Sequence, residues 1–355
     1  MAARASAVAA AAVLASWLPW AHRPRAAPAG GEAPLARDPV AFLRREGALS
    51  ASDVKNLERG AIIARVIDTS DRSEVYSLAV MRVRTTPARV LQRWRDMEGR
   101  TGAPWVLQIG RLGVVPSPGD LASMTLDPGD VKHLGKCVVN NCEVRLPAEA
   151  IEQFRKEIDW SSGSHAARAD VLFRRMLAAY AASYLQRGNG ALFQYDNNDD
   201  PVRIADSLDL LIQRLDVLDA IPDLRAYLKS FPQGRPPDAE DFVYWMKEKF
   251  WLVNVLSLNH ATIVDRNTSS GRLILAVSKQ LYATHYFESS LDAMIFVEGA
   301  GGWGSHLIFV NRTRADIRRS GFSWFERVLL KYLVRGRLDA QLNYFKQQLE
   351  GPGAR

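Results

Sequence analysis

Along residues 73–84, "SEVYSLAVMRVR", Val75, Ser77, Ala79, Met81 and Val83 make one small-to-apolar face, while Arg82 and Arg84 end the other. A period of two predicts a strand with one buried face. The chain then enters "TTPARVLQRWRDMEG", where Thr86 can cap a helix, Pro87 fits its first position, and Val90, Leu91, Trp94 and Met97 recur at helical spacing. "WVLQIGRLGVV" reads as a second strand. Residues 38–60 read as one or two short amphipathic helices ahead of both.

The middle of the chain has helical spacing. Leu172, Met176, Tyr180 and Tyr184 fall on one stripe that Gly188 stops. Ile204, Leu208, Leu211, Ile212, Leu215 and Leu218 form another, starting from Asp200-Pro201. Together they predict a helical block over about residues 148–231. The loop between the stripes, "NGALFQYDNNDD", is acidic but lacks the ordered ligands and terminal Glu of an EF-hand, so no metal is expected there.

After "FPQGRPPDAED" the period returns to two. "FVYWMKEKFW" reads as a strand, and "VLSLNHATIV" places Leu256, Leu258 and His260 on one side. Residues 271–287, "GRLILAVSKQLYATHYF", read as one long strand with Leu273, Leu275, Val277, Lys279, Leu281, Ala283, His285 and Phe287 on a single face. "LDAMIFVEG" and "SHLIFVNRT", joined by "GAGGWG", predict an antiparallel hairpin. The last stretch, from "FSWFERVLL" to "FKQQLE", is a long helix whose apolar stripe shifts around Gly336.

Composition adds a class and a compartment. An apolar fraction of 47% and a charged fraction of 24% are those of a globular chain. The net charge of +7 is scattered and offset by 39 acids, with no nucleic-acid recognition motif, so nucleic acid is not expected as a partner. The densest basic patch is Arg312, Arg314, Arg318 and Arg319. It suits an anionic headgroup at a membrane surface, with Arg312 and Arg314 as the candidate contacts, or else a solvated turn. Residues 1–30 combine a short basic start, an Ala-rich apolar run and a Pro/Ala/Gly stretch, the layout of a secretory signal peptide or N-terminal anchor. Export, to a periplasm, is the expectation. Cys137 and Cys142 fit it as a small disulfide loop around Asn140-Asn141. The rival readings are two free thiols, or a metal site with His133 whose spacing matches no standard zinc pattern.

Catalytic and cofactor signatures are missing: no P-loop, dinucleotide fingerprint, HExxH or GxSxG occurs, and no cofactor is expected. "GAGGWG" precedes a strand rather than a helix and reads as a hairpin loop, with Trp303 either a lid or membrane contact or ordinary packing. What stands out is polarity on apolar faces: His260, Lys279 and His285. A buried polar group left unpaired costs about 1–3 kcal/mol. Each is therefore a hydrogen-bonded core residue or part of a cavity lining that orients a mostly apolar ligand. Strand parity sends Glu288, in the turn "ESS", away from His285, so the two form no relay.

The order of elements resembles the helix-grip fold of START-related proteins, carried by "AVMRVRTTPARVLQRW" near the start and by residues 291–333, "LDAMIFVEG" through "FSWFERVLLKYL", near the end. The resemblance implies a curved antiparallel sheet gripping a long C-terminal helix over a hydrophobic cavity, in a family of lipid carriers, hormone receptors and polyketide cyclases. Gly336 would allow close approach of backbone or ligand. The expected fold is thus a single α+β domain over residues 38–350, with the helical block as an insertion and 351–355 as a tail. The first functional expectation is an exported protein binding an apolar or amphipathic small molecule, a lipid, without chemistry. His285, His260, Lys279 and Phe287 would be its ligand-binding residues. Two others stand beside it: an interaction protein with a filled core, and a cyclase- or hydrolase-type enzyme. The enzyme would use His285 as acid/base and needs a carboxylate or hydroxyl within its hydrogen-bond reach.

Overall fold

The computed structural model describes residues 34–45, 48–71, 73–96, 101–250, 253–299, 304–315 and 324–351, and in the final helix the side chains of 336 and from 338 onward. Residues 1–30, expected to be a signal peptide or anchor, and Trp303, Arg318, Arg319 and nearly all of the expected tail lie outside these residues. Short helices α1 (Pro34–Arg37), α2 (Pro39–Arg45) and α3 (Ala51–Glu58) lead into β1 (Ile63–Ile67), β2 (Glu74–Val83), α4 (Pro87–Arg95) and β3 (Val106–Arg111). A helical block follows: α5 (Pro128–Leu134), α6 (Ala148–Glu157), α7 (His165–Arg187), the short pair β4 (Gln194–Tyr195) and β5 (Val202–Arg203), α8 (Ile204–Gln213) and α9 (Pro222–Ser230). Five long strands come next: β6 (Ala239–Phe250), β7 (Val253–Thr268), β8 (Gly271–Ala283), β9 (Phe287–Val297) and β10 (Ser305–Ala315). Helix α10 (Trp324–Glu350) ends the fold.

Eight strands form one sheet in the order β1-β2-β10-β9-β8-β7-β6-β3, every pairing antiparallel. Alternation gives each strand two faces, and both are covered. On one, Met81, Val83, Phe242, Ile263, Ile274, Phe296 and Leu307 pack with Val90, Leu91 and Trp94 of α4 and Leu338, Leu342 and Leu349 of α10. On the other, Leu78, Val80, Trp245, Leu275, Val277, Ile295 and Val310 meet the helical block through Phe154, Phe173, Tyr180, Tyr184, Leu211 and Leu224. The fold is α+β in three layers, with the sheet in the middle. The inserted block and α10 thus occupy opposite faces.

Local chemistry sets the boundaries. Thr86 Oγ1 accepts the Arg89 N–H at 3.3 Å to start α4. Helix α7 stops at Gly188, whose φ of 66° suits glycine and where a Cβ would sit 1.7 Å from the Phe231 carbonyl oxygen. The stripe through Leu218 is two elements, because α8 ends at Gln213 and Arg225 reaches back to the Gln213 and Leu215 carbonyls at 2.9 Å each. Gly336 is exposed with open space around it, so the expected close approach is not made there.

The largest departure lies in residues 271–287. Instead of one strand, β8 ends at Ala283 and the chain reverses over 284–286. Thr284 Oγ1 accepts the Leu256 N–H at 3.1 Å, Tyr286 takes a φ of 61°, and the Phe287 N–H donates to the His285 carbonyl at 2.7 Å. A register shift at Leu258/Asn259 adds to this. Parity beyond Leu281 therefore fails, and Glu288 lies inside β9 rather than in a turn.

Cys137 and Cys142 are joined in a disulfide, and Val138 and Asn141 exchange backbone hydrogen bonds across a turn in which Asn140 has a φ of 68°. Opening so short a loop is expected to cost only about 2 kcal/mol. Urea titration with and without reductant checks this. Among the described residues no group of acidic, His or Cys side chains could hold a metal ion, and no helix is long and apolar enough to cross a membrane.

Candidate functional site

His260 and Lys279 are cross-strand partners on the face under the helical block, and both are fully buried. His260 Nε2 donates to Asp241 Oδ1 at 3.0 Å, while its Nδ1 accepts the Tyr184 hydroxyl at 2.8 Å. Asp241 also accepts from Thr262 (2.7 Å) and Tyr227 (2.9 Å), and Arg235 pairs with it at 3.1 Å. Burial works against the Asp241 carboxylate, but these donors, His260 first, hold its pKa below the ordinary value. Burial pushes the imidazole down to about 4, so His260 is neutral at physiological pH. Tyr184 and Tyr227 come from α7 and α9. The network ties the block to the sheet, with both ring nitrogens of His260 taken by protein partners.

A pH dependence follows. Between about 4, the folded value, and 6.5, the ordinary one, the unfolded chain binds a proton that the folded imidazole refuses. Stability is expected to fall as pH is lowered from about 6.5 to about 4, and His260→Gln should flatten the fall. Thermal midpoints of the two proteins from pH 7 to pH 4 measure the difference.

Lys279 Nζ donates to Asn189 Oδ1 at 3.2 Å and to the Leu228 carbonyl at 3.4 Å, and lies 4.8 Å from the Phe231 ring centroid and 5.3 Å from that of Tyr184. Burial lowers its pKa to about 7. It too faces the block rather than α10.

His285 sits in the reversal after β8, where its Nε2 meets Asp130 Oδ1 of α5 at 2.8 Å. A carboxylate is thus within reach, but neither residue makes another side-chain hydrogen bond among the described residues. Glu288 has separate partners, Ser207 (3.1 Å) and Arg314 (2.9 Å). Phe287 lies at the start of β9 with its ring 4.9 Å from that of Phe250 at the end of β6. Of the four expected ligand contacts, His260 and Lys279 come together, His285 stands apart, and Phe287 marks a sheet end.

Arg312 and Arg314 do not present free guanidinium groups. Arg312 is buried against Glu74 and stacks 3.9 Å over the Tyr76 ring, while Arg314 pairs with Asp71 and Glu288. Arg214 joins the same carboxylates. Three acids answer three arginines, which leaves no charge for an anionic headgroup at these two positions. A separate cleft of about 300 Å³ beside β1 includes Ser50, Asp53, Arg65 and Tyr76. There Asp53 and Arg65 neutralise one another at 2.5 Å.

The face toward α10 is different. At one end it is apolar, under α4 and the last turns of α10. Toward the other end the same parity presents Ser77 on β2, Asn311 and Thr313 on β10, Asp292 and Ser290 on β9, Ser278 and Gln280 on β8, and Asn259 and Ser257 on β7. The register aligns them: Ser77 with Asn311, Asn311 with Asp292, Asp292 with Ser278, and Gln280 with Asn259. Asn311 donates to Asp292 at 2.6 Å and to Ser290 at 2.9 Å, and Tyr244 shares a hydrogen bond with Ser278 at 2.9 Å. Ser77 Oγ and Gln280 Oε1 are buried without a partner among the described residues. Ala276, Ser278, Gln280, Asp292, Met294, Phe309 and Asn311 are all half-buried, whereas their neighbours on the block face are sealed. Phe250 stands on this face by parity, so the Phe250–Phe287 pair rims the polar end.

No protein-family model matches the chain, and no curated protein sequence is significantly similar to it.

Proposed function

We propose that the protein is of helix-grip type and binds one amphipathic small molecule, a lipid, in the groove between the sheet and α10, without transforming it. The observation that carries this reading is the gradient along the α10 face. Met81, Ile274, Phe296 and Leu307 give way to half-buried Ala276, Met294 and Phe309, and then to Ser278, Gln280, Asp292 and Asn311. A surface with an apolar floor and a few convergent polar groups suits a ligand with a tail and a head. The helix-grip assignment is supported by the strand order, in which the first long strand, β2, lies beside the last, β10, and the long helix α10 returns over one face. Export is supported by the Cys137–Cys142 disulfide, which needs an oxidising compartment.

The histidines lie away from this face: His260 is locked between Asp241 and Tyr184, and His285, with the Asp130 carboxylate that the enzyme reading requires at 2.8 Å, sits in the reversal after β8. The groove is tested by Ala276→Trp, which places an indole on the α10 face without touching the block. Binding of a fluorescent fatty-acyl probe, followed by titration, is expected to weaken by about a hundredfold or more, the effect of an occluded pocket worth about 3 kcal/mol of buried tail. Unchanged binding would move the ligand elsewhere.

A further inference from the structure

At the apolar end of the groove, the corner of the sheet at β1 and β2 carries an excess of positive charge. Four pieces of chain meet there: the turn after α3, the end of β2, the first turn of α4 and the last turns of α10. Arg82 donates to the Glu58 carbonyl and Lys346 to the Gly60 carbonyl, each at 3.3 Å, on either side of Arg59. Arg89 donates to the Gln348 carbonyl at 3.0 Å, and the Arg84 N–H donates to the Glu350 carboxylate at 3.0 Å. Lys55 lies one turn before Arg59, and both are exposed. The acids at this corner are Glu58, Glu350 and, two turns before Lys346, Asp339. His306, cross-strand from Arg82, is neutral because burial lowers its pKa to about 4, and Asp38, whose charge reaches it, is offset by its chain neighbour Arg37. Six cations therefore stand against three carboxylates among the described residues.

The cations just beyond the corner are used differently. Arg65 pairs with Asp53, Arg93 with Asp96 and Arg95 with Glu240. Arg89 and Lys346 instead bond main-chain carbonyls, which orient a cation without neutralising it. Lys55 and Arg59 make no side-chain hydrogen bond or ion pair among the described residues. Arg89 and Lys346 also belong to α4 and α10, whose Val90, Leu91, Trp94, Leu342 and Leu349 cover the apolar floor of the groove.

We infer that this corner docks the protein on an anionic lipid bilayer, so that the end of the groove suited to an acyl tail meets the membrane. This rests on the groove reading above and names its partner. Each Lys or Arg close to an anionic leaflet favours binding about fivefold, an attraction that salt screens.

The test is co-sedimentation of the full chain with phosphatidylcholine vesicles, pure or containing about one-third phosphatidylglycerol, at about 0.1 M and about 0.5 M salt. Binding is expected to the anionic vesicles alone and to be lost at the higher salt. Lys55→Gln combined with Arg59→Gln, checked for an unchanged thermal midpoint, should weaken it about twentyfold or more. Lys132→Gln combined with Lys136→Gln, equally exposed beside α5 at the opposite end of the sheet, should leave it unchanged. Equal losses in the two double variants would mean that net charge and not this corner attracts the membrane, and would overturn the inference. So would an absence of binding to anionic vesicles, or tighter binding of a DNA duplex at the same salt. The corner variant should keep its full affinity for the fatty-acyl probe, and Ala276→Trp its full affinity for vesicles. Vesicle binding by a wild-type chain that takes up no acyl probe would overturn the groove reading and leave the corner as a membrane contact.

Discussion

Asp241→Ala is expected to destabilise the protein by about 3–5 kcal/mol, the loss seen when one partner of a buried charged network is removed. The carboxylate accepts from His260, Thr262 and Tyr227 and pairs with Arg235. Without it, His260 Nε2 and the Thr262 hydroxyl are left buried with no acceptor, and Tyr227 of α9 and Arg235 lose their common anchor. The helical block would loosen from the sheet first, because Tyr184 and Tyr227 are its ties to this point. Urea denaturation followed by tryptophan fluorescence measures the loss. Asp241→Asn, which keeps an acceptor oxygen but adds an N–H among donors, should fall in between. A change below 1 kcal/mol in Asp241→Ala would mean that the block is held by apolar packing alone.

Lys279→Met should have the opposite effect and raise the thermal midpoint at neutral pH. Burial holds the amine near a pKa of 7, against an ordinary 10.5. Between those values the unfolded chain takes up a proton more readily than the folded one, so this lysine makes the fold lose stability as pH falls from 10.5 to 7. The shift corresponds to a cost of no more than about 5 kcal/mol at and below pH 7. Subtracting the hydrogen bonds that Asn189 and Leu228 lose leaves a gain of about 2–3 kcal/mol. The gain should shrink as pH rises and vanish above about 10.5. Thermal melts of both proteins at pH 7 and pH 10.5 decide it. An equal difference at the two pH values would mean that the effect is one of packing and not of charge.

The contrast between these residues and the polar row on the α10 face shows what is local in the sequence and what is not. Period-two patterning located β2, β7 and β10, and Thr86-Pro87 located the start of α4, because these signals are local. The same alternation correctly put Lys279 and His260 on a buried face. It could not say which layer buries that face, since a strand enclosed on both sides looks alike from either. The helical block took the face with His260, and α10 took the other. The polar row of Ser77, Asn311, Asp292 and Ser278 escaped notice because its members lie on four different strands. Each is unremarkable alone, and only the register brings them together. The signal was present as a polar residue at matching parity in "LAVSKQL", "LDAMIF" and "IFVNRT", but sequence does not set the offset between strands.

His285 and Phe287 were misplaced for a related reason. Their assignment to one face assumed an unbroken strand, and the reversal at residues 284–286 depends on Thr284 capturing the Leu256 amide across the sheet. The partners of Arg312 and Arg314 were hidden similarly: Glu74 lies 238 residues away from Arg312 in the chain. A basic cluster in sequence became a neutral ion-pair network in space.

The measurement that bears most directly on the central claim is native mass spectrometry of the full chain purified from its own compartment without detergent, followed by organic extraction. Wild type should carry a near-stoichiometric amphiphile that Ala276→Trp, purified in parallel, lacks. The same bound molecule at equal occupancy in both proteins would contradict a site between the sheet and α10.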